Sequence, residues 1–231
     1  MIENYYTSQK AKLMKDFGRA CSWYRPHLIN QGGKVFADEV IHTARNHYES
    51  LIPQIPYIGG SKVHMTTDLL ESVTHLAFLR AFIQHGLTDE ESRRILYQGM
   101  ETRLAQYPKL LLKLLGWMSF TKMYLRKFQR QSVESQVREY PGGFVFDVVI
   151  GDGEEFDWGL DFTECGIRKF YQAQNASEFL PIVCPIDYLL SDAFGYGLVR
   201  TKTLTEGAEI CNPRMKRGRQ TEWRLPDGGS S

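Results

Sequence analysis

The sequence has few cysteines, no long uninterrupted apolar run and almost no net charge. Four cysteines in 231 residues are too few for a disulfide scaffold, and none belongs to a Cys-x-x-Cys pair. We therefore expect all four thiols to be reduced. The most apolar stretch, residues 110–118, is about half the length of a membrane span and contains Lys113. This pattern argues against a transmembrane protein.

The charges are nearly balanced. The chain has 28 Lys and Arg residues and 27 Asp and Glu residues, which gives a formal net charge of +1. Such a charge creates no overall electrostatic field that would attract nucleic acid or an anionic membrane. Residues 1–17 are rich in tyrosine and carry both signs of charge, unlike a signal peptide. We expect a cytoplasmic protein that binds a small-molecule substrate, without nucleic acid or membrane, and leave a homo-oligomer open.

Hydrophobic residues make up 42% of the chain and charged residues 24%, enough to build a folded core. Up to residue 140 the apolar positions recur at helical spacing. Thr88 and Glu91 have the Ser/Thr-x-x-Glu spacing that opens a helix. The predicted helices cover residues 5–20, 34–52, 65–83, a segment that starts at 88, and 108–137.

After the turn at residues 140–143 the pattern becomes typical of strands, with β-branched and aromatic residues. The sequence predicts strands at 144–150, 156–162, 197–204 and 208–215, and short helices at 165–174 and 177–190. The predicted fold class is α+β, an N-terminal helical bundle packed on a C-terminal ββααββ unit. Its regions are 1–140, 141–215 and a flexible tail at 216–231, with the folded regions in one compact unit.

Cys165, Cys184 and Cys211 all lie in the predicted ββααββ unit. Cys184 precedes Asp187 by three residues, so both would share one face of a helix. One hypothesis is a nucleophilic thiol whose neighbouring carboxylate orients a base or an attacking water. A second is a metal site, although gaps of 19 and 27 residues between the cysteines are not those of zinc knuckles. The third is that the cysteines are small buried hydrophobic residues.

Arg200 interrupts an otherwise strand-like segment. Its planar guanidinium suits a substrate carboxylate, and an exposed strand charge is the equal alternative.

Four polar residues of the predicted helix 65–83 and its N-terminal flank line up along one stripe. They are His64, Asp68, Glu71 and His75, spaced by four, three and four residues. Such a stripe is either a solvated face or the polar lining of a pocket where the two halves meet. In the second case His75 or His64 would serve as a general base or metal ligand beside Cys184.

Three C-terminal motifs carry a family resemblance. Residues 161–167 contain the first cysteine, residues 180–187 contain Cys-x-x-Asp, and residues 200–211 contain Arg-Thr-x-Thr-Leu-x-x-Gly and the last cysteine. In this order and spacing they resemble the L-2-amino-thiazoline-4-carboxylic acid hydrolase family, as does the proline-rich turn at 55–60. The chain departs from that family's pattern after the last cysteine, where Asn212-Pro213 replace the usual Asp and aromatic residue or His.

The resemblance implies hydrolysis of a carbon–nitrogen bond in a small carboxylated cyclic amidine such as 2-aminothiazoline-4-carboxylate. Cys184 would be nucleophile or metal ligand, Asp187 the base or its orienter, and His75 a second acid or base. Arg200 would hold the substrate carboxylate.

The remaining predicted substrate-binding residues are Thr201, Cys165 and Cys211. No cofactor is certain. A divalent metal stays open, with Cys165, Cys184 and Cys211 as candidate ligands. Two alternatives are an isomerase or cyclase of a small secondary metabolite in the same pocket, and a non-catalytic small-molecule or metal sensor.

Overall fold

The computed structural model describes residues 5–223, in which a helical N-terminal part precedes an α+β part. The predicted fold class is confirmed. The helices of the first part are α1 (Tyr5–Ser8), α2 (Lys10–Leu51), α3 (Met65–Gln84), α4 (Asp89–Leu104), α5 (Lys109–Met118) and α6 (Lys122–Ser135). The second part contains β1 (Val145–Ile150), β2 (Trp158–Glu164), α7 (Gly166–Ala173), α8 (Leu180–Val183), α9 (Ile186–Phe194), β3 (Tyr196–Arg200) and β4 (Pro213–Arg217).

Helix α2 is a hairpin of two antiparallel arms. The chain reverses at Gly33, whose φ of 84° lies in the left-handed region that glycine adopts freely. Phe17 stacks on Tyr48 across the arms at a ring-centroid distance of 4.4 Å. The reversal places the two predicted helices, 5–20 and 34–52, side by side.

Helix α3 runs through the core and is buried on most of its surface. The predicted start of α4 is confirmed, since Thr88 and Glu91 form a reciprocal capping box. The predicted single helix 108–137 is corrected to two helices, α5 and α6. The break occurs because the Thr121 side chain caps α6 by accepting from the Tyr124 amide at 3.4 Å.

The four strands form one antiparallel sheet in the order β1-β2-β4-β3. The predicted hairpin of the first two strands is confirmed, with Ile150 opposite Trp158 beside its turn. The second pair is shorter than the predicted 197–204 and 208–215. The Asn212 side-chain oxygen accepts from the Thr201 and Lys202 amides, at 3.1 and 2.7 Å, and so ends the strand at Arg200.

Hydrogen bonds join the helical part to the α+β part. The Tyr171 hydroxyl on α7 donates to the Ser72 carbonyl on α3 at 2.8 Å. The Tyr97 hydroxyl on α4 donates to the Ile182 carbonyl on α8 at 3.1 Å. Both parts contribute to one continuous apolar core.

The boundary of the predicted tail is corrected. Lys216 and Arg217 belong to β4, and the chain beyond them packs on the domain. The Trp223 indole donates to the Asp192 carboxylate at 2.8 Å, and the Glu222 amide donates to the Leu198 carbonyl at 3.0 Å. The rest of the predicted tail, 224–231, lies outside the described residues. Within 5–223 no helix has the length and apolar character needed to cross a bilayer.

Candidate active site

Arg200 is a buried cation at the end of β3. Its side chain is 5% exposed, and one guanidinium nitrogen donates to the Asp187 carboxylate at 3.0 Å. The other terminal nitrogen donates to the Cys184 carbonyl at 2.9 Å, and the guanidinium lies over the Tyr188 ring. Arg200 therefore fastens the sheet to the α8–α9 corner. Both terminal nitrogens contact protein groups, whereas the buried Nε has no hydrogen-bond partner among residues 5–223, and the expected role as a carboxylate anchor stays a prediction.

Asp187 occupies the first turn of α9, where helix dipole and guanidinium both favour a negative charge. Its side chain is 58% exposed although its partner Arg200 is buried. Surrounding protein raises the pKa of this carboxyl above its ordinary value, opposed by Arg200. The Asp187 carboxyl is therefore accessible to water and also close to many protein atoms.

Asp68, in the first turn of α3, lies close enough to Asp187 for their two charges to interact. Its side chain is also exposed. Enclosure by protein, together with the negative charges of Asp187 and Glu71, raises its pKa to about 7. We call the space bordered by Asp68, Glu71 and Asp187 the carboxylate cleft.

Two tyrosines flank the carboxylate cleft. Tyr124 of α6 lies close enough to Asp68, and Tyr196 of β3 close enough to both aspartates, to be affected by their charge. Burial raises the pKa of Tyr124 to about 12, and that of Tyr196 is raised as well. Both hydroxyls are therefore protonated hydrogen-bond donors at neutral pH.

His75 lies deeper in the helical part and is 3% exposed. Its Nε2 is 3.8 Å from the Glu71 carboxylate, which pairs with Arg103. Burial and the Arg103 charge lower the pKa of His75 to about 3, so the imidazole is neutral. Among residues 5–223 no hydrogen bond or ion pair joins His75 or His64 to Cys184.

Cys184 and Cys211 lie near Arg200, Cys165 lies near these two cysteines, and all three are free thiols. Burial raises the pKa of Cys184, that of Cys165 to about 12 and that of Cys211 to about 11. The Cys184 sulfur lies 3.4 Å from the Thr205 hydroxyl, in a pocket of about 70 Å³ that Arg200 also lines. These thiols are protonated at neutral pH.

Thr201 is exposed and belongs to a loop fastened by Asn212. The Asn212 amide donates to the Thr201 hydroxyl at 2.9 Å while its oxygen accepts the two backbone amides. Aspartate lacks the N–H group that makes the first of these bonds. The position that departs from the family pattern therefore has a structural use in this chain.

No three His, Cys, Asp or Glu side chains within 5–223 are arranged to hold a metal ion. A larger pocket, about 250 Å³, lies beside the proline-rich turn and is lined by Tyr57, Lys62, Arg138 and Tyr140 among others. It contains none of the predicted site residues. Sequence reasoning placed Asp68 on a polar stripe but missed its raised pKa, which depends on Asp187 from a distant segment.

An Arg-held carboxylate near a second carboxylate with a pKa close to neutrality is typical of enzymes that move protons. The family profile described as L-2-amino-thiazoline-4-carboxylic acid hydrolase matches residues 68–215, more than half of the chain. The matched span begins at Asp68 and includes Asp187, Arg200 and the three clustered cysteines. This chain belongs to that family, whose name describes a hydrolase acting on a thiazoline carboxylate. No curated protein and no solved structure matches it.

Proposed function

We propose that this protein is a hydrolase that opens the ring of a small carboxylated cyclic amidine, such as L-2-aminothiazoline-4-carboxylate. The carboxylate cleft carries this proposal, because Asp68 and Asp187 face it within the span that matches the family. A protonated amidine presents N–H donors and a positive charge, for which carboxylates are the matching acceptors. The tyrosines that flank the cleft suit a flat ring.

Asp187 is the general base in this proposal. Its exposure admits water, and Arg200 fixes its orientation. Asp187 takes a proton from the water as the water oxygen bonds to the ring carbon between nitrogen and sulfur. Arg200 does not touch the substrate and acts as a positioning residue.

Asp68 is the general acid. With a pKa near 7 it is protonated in about half of the molecules at neutral pH, whereas an ordinary aspartate is almost fully ionised. As the ring carbon–nitrogen bond breaks, Asp68 gives that proton to the departing nitrogen, and the hydroxyl on the former ring carbon returns its proton to Asp68 as the carbamoyl C=O forms. One water is added in total, and the product is an amine that carries an S-carbamoyl group.

Water, and not Cys184, is the nucleophile in this proposal. The raised pKa of Cys184 keeps the thiol protonated, and no described histidine lies in position to remove its proton. The three cysteines are uncharged thiols that take no part in the reaction. His75 takes no part either, because it is buried and neutral.

Mass spectrometry of the purified protein incubated with L-2-aminothiazoline-4-carboxylate tests the reaction. A product heavier by one water supports hydrolysis. A new compound of unchanged mass would identify an isomerase, and an unaltered substrate would refute the proposed substrate.

The two possible ring openings give products of equal mass, so a second assay must separate them. Cleavage of the carbon–nitrogen bond leaves a primary amine and no thiol, whereas cleavage of the carbon–sulfur bond leaves a free thiol. Titration of the quenched reaction with a thiol reagent distinguishes them. We expect no new thiol beyond the protein's own cysteines, and one thiol per turnover would contradict the role assigned to Asp68.

A further inference from the structure

Helix α5 presents an apolar face to solvent. Leu110 is 81% exposed, Leu114 51% and Trp117 55%, and Leu111, Leu115 and Met118 beside them are also exposed. These six residues form what we call the outer face. Large apolar side chains that are exposed singly need no explanation, but a contiguous set on one short helix marks an interaction surface.

The opposite side of α5 is already used for packing. Leu112 and Gly116 are buried, and α5 lies against α9. A Cβ at position 116 would collide with the carbonyl oxygen of Phe194, so this close approach requires glycine. The helix is therefore fixed in an orientation that leaves the outer face toward solvent.

Positive charge is concentrated in the same stretch of chain as the outer face. Residues 105–133 contain six Lys and Arg residues and no Asp or Glu, although the chain as a whole has a net charge of +1. All six are exposed. Five of them form no ion pair with any residue from 5 to 223, namely Lys109, Lys113, Lys122, Arg126 and Lys127. We call these five the cationic rim.

We propose that α5 and α6 dock this protein on an anionic lipid bilayer. Helices that lie in the membrane interface typically combine exposed leucines and tryptophan with lysines and arginines, as α5 and α6 do. Helix α5 has 10 residues, too few to span a bilayer, so it lies parallel to the surface.

A second copy of this chain fits the surface less well. A two-fold interface places the same patch of each copy against the other, so ten unpaired cations would gather with no acid from this segment between them. Anionic headgroups supply the missing charge, while the acyl boundary accepts the leucines. This docking replaces the expectation, drawn from the balanced net charge, that no membrane is a partner, and it is independent of the proposed hydrolase activity.

Co-sedimentation of the purified full chain with vesicles tests the proposal. We expect binding to phosphatidylcholine vesicles that contain phosphatidylglycerol, and little binding to phosphatidylcholine alone. Because an interfacial cation contributes to binding, Lys113→Gln and Lys122→Gln should each weaken it about fivefold. Leu110→Glu should weaken it at least about tenfold.

Val35→Glu is the matched control, since Val35 is 72% exposed but lies on α2, away from the outer face. It should bind vesicles as the unaltered protein does. Sedimentation velocity without lipid tests the alternative, in which a second copy of the chain covers the outer face. A dimer that Leu110→Glu dissociates, together with no vesicle binding, would overturn the proposal in favour of a second copy. Binding that is equal for both vesicle types would also overturn it.

Discussion

Two arginine–carboxylate pairs border the same cleft but differ in which partner meets water. In the Arg200–Asp187 pair the arginine is 5% exposed and the carboxylate 58%. In the Arg103–Glu71 pair the two side chains are 27% and 21% exposed, and the carboxylate also approaches the buried His75. The first pair holds an acid at the boundary with water, whereas the second encloses one.

The difference separates a reactive arrangement from a structural one. A buried, fixed arginine limits the orientations of Asp187 without covering it, which is how a base is held ready for a substrate. Glu71 is occupied by Arg103 and contributes charge to the cleft mainly at a distance.

Asp187→Asn should lower kcat about 1000-fold, because the amide keeps a hydrogen-bond acceptor for Arg200 but cannot take a proton. The matched control is Asp161→Asn. Asp161 pairs with Arg214 at 2.6 Å in the same half of the chain, yet lies outside the carboxylate cleft, and its variant should keep most of its activity. Equal losses of kcat in the two variants, measured at equal thermal stability, would contradict a specific role of Asp187 as the base.

Asp68→Asn should lower kcat about 100-fold at neutral pH through loss of the proton donor. In the unaltered protein kcat/KM should fall as pH rises through about 7, the pKa of Asp68, and this alkaline limb should be absent from the residual activity of the variant. A pH–rate profile identical in shape for both proteins would exclude Asp68 as the acid.

The pH dependence of stability should reveal the raised pKa of Asp68 independently of activity. The pKa of Asp68 is raised from 3.8 in the unfolded chain to about 7, so its favourable contribution is complete below pH 3.8 and is lost as pH rises through about 7. The Tm of Asp68→Asn relative to the unaltered protein should therefore rise between pH 4 and pH 8. Thermal melts across that range provide the measurement.

Arg200→Lys should lower kcat about tenfold, since an ammonium cannot reproduce the two-pronged contact with Asp187 and the Cys184 carbonyl. Loss of one charge-assisted hydrogen bond in a buried position should also cost about 2 kcal/mol of unfolding free energy. Denaturant titration and steady-state kinetics on one preparation separate these effects. A change in KM alone would instead favour direct contact with the substrate carboxylate.

His75→Phe should have the smallest effect, with kcat changed less than about threefold. The imidazole is neutral, its Nδ1 has no hydrogen-bond partner among the described residues, and a phenyl ring fills a similar volume. Steady-state kinetics on a variant with an intact far-ultraviolet spectrum provides the check. A loss of kcat as large as that of Asp187→Asn would show that His75 and the Arg103–Glu71 pair take part in the reaction.

Local signals predicted most of the fold. The capping box at Thr88 and the hairpin turn after β1 depend on neighbouring residues, so they were visible in the sequence. The break at Thr121 and the end of β3 were not, because each depends on a side chain that competes for backbone groups.

The site followed the same division. The spacing of Cys184 and Asp187 predicted one face of a single helix, but Cys184 lies at the C-terminal end of α8 and Asp187 in the first turn of α9. The cluster of three cysteines agrees with their shared placement in the α+β region. The protonation state of each side chain could not be predicted from the sequence, since it depends on burial. Neither the neutral His75 nor the raised pKa of Asp68 follows from residue spacing.

The dependence of Asp68 on Asp187 has a consequence for how the molecule is made. Asp68 leaves the ribosome with the helical part, more than a hundred residues before Asp187 and Arg200. Until the later segments arrive, the charge of Asp187 and any enclosure by those segments are absent, and the pKa of Asp68 lies closer to that of an ordinary aspartate. Its acidity is thus a property of the assembled chain, and the NMR titration of this single carboxyl would report when the two parts of a nascent protein have come together.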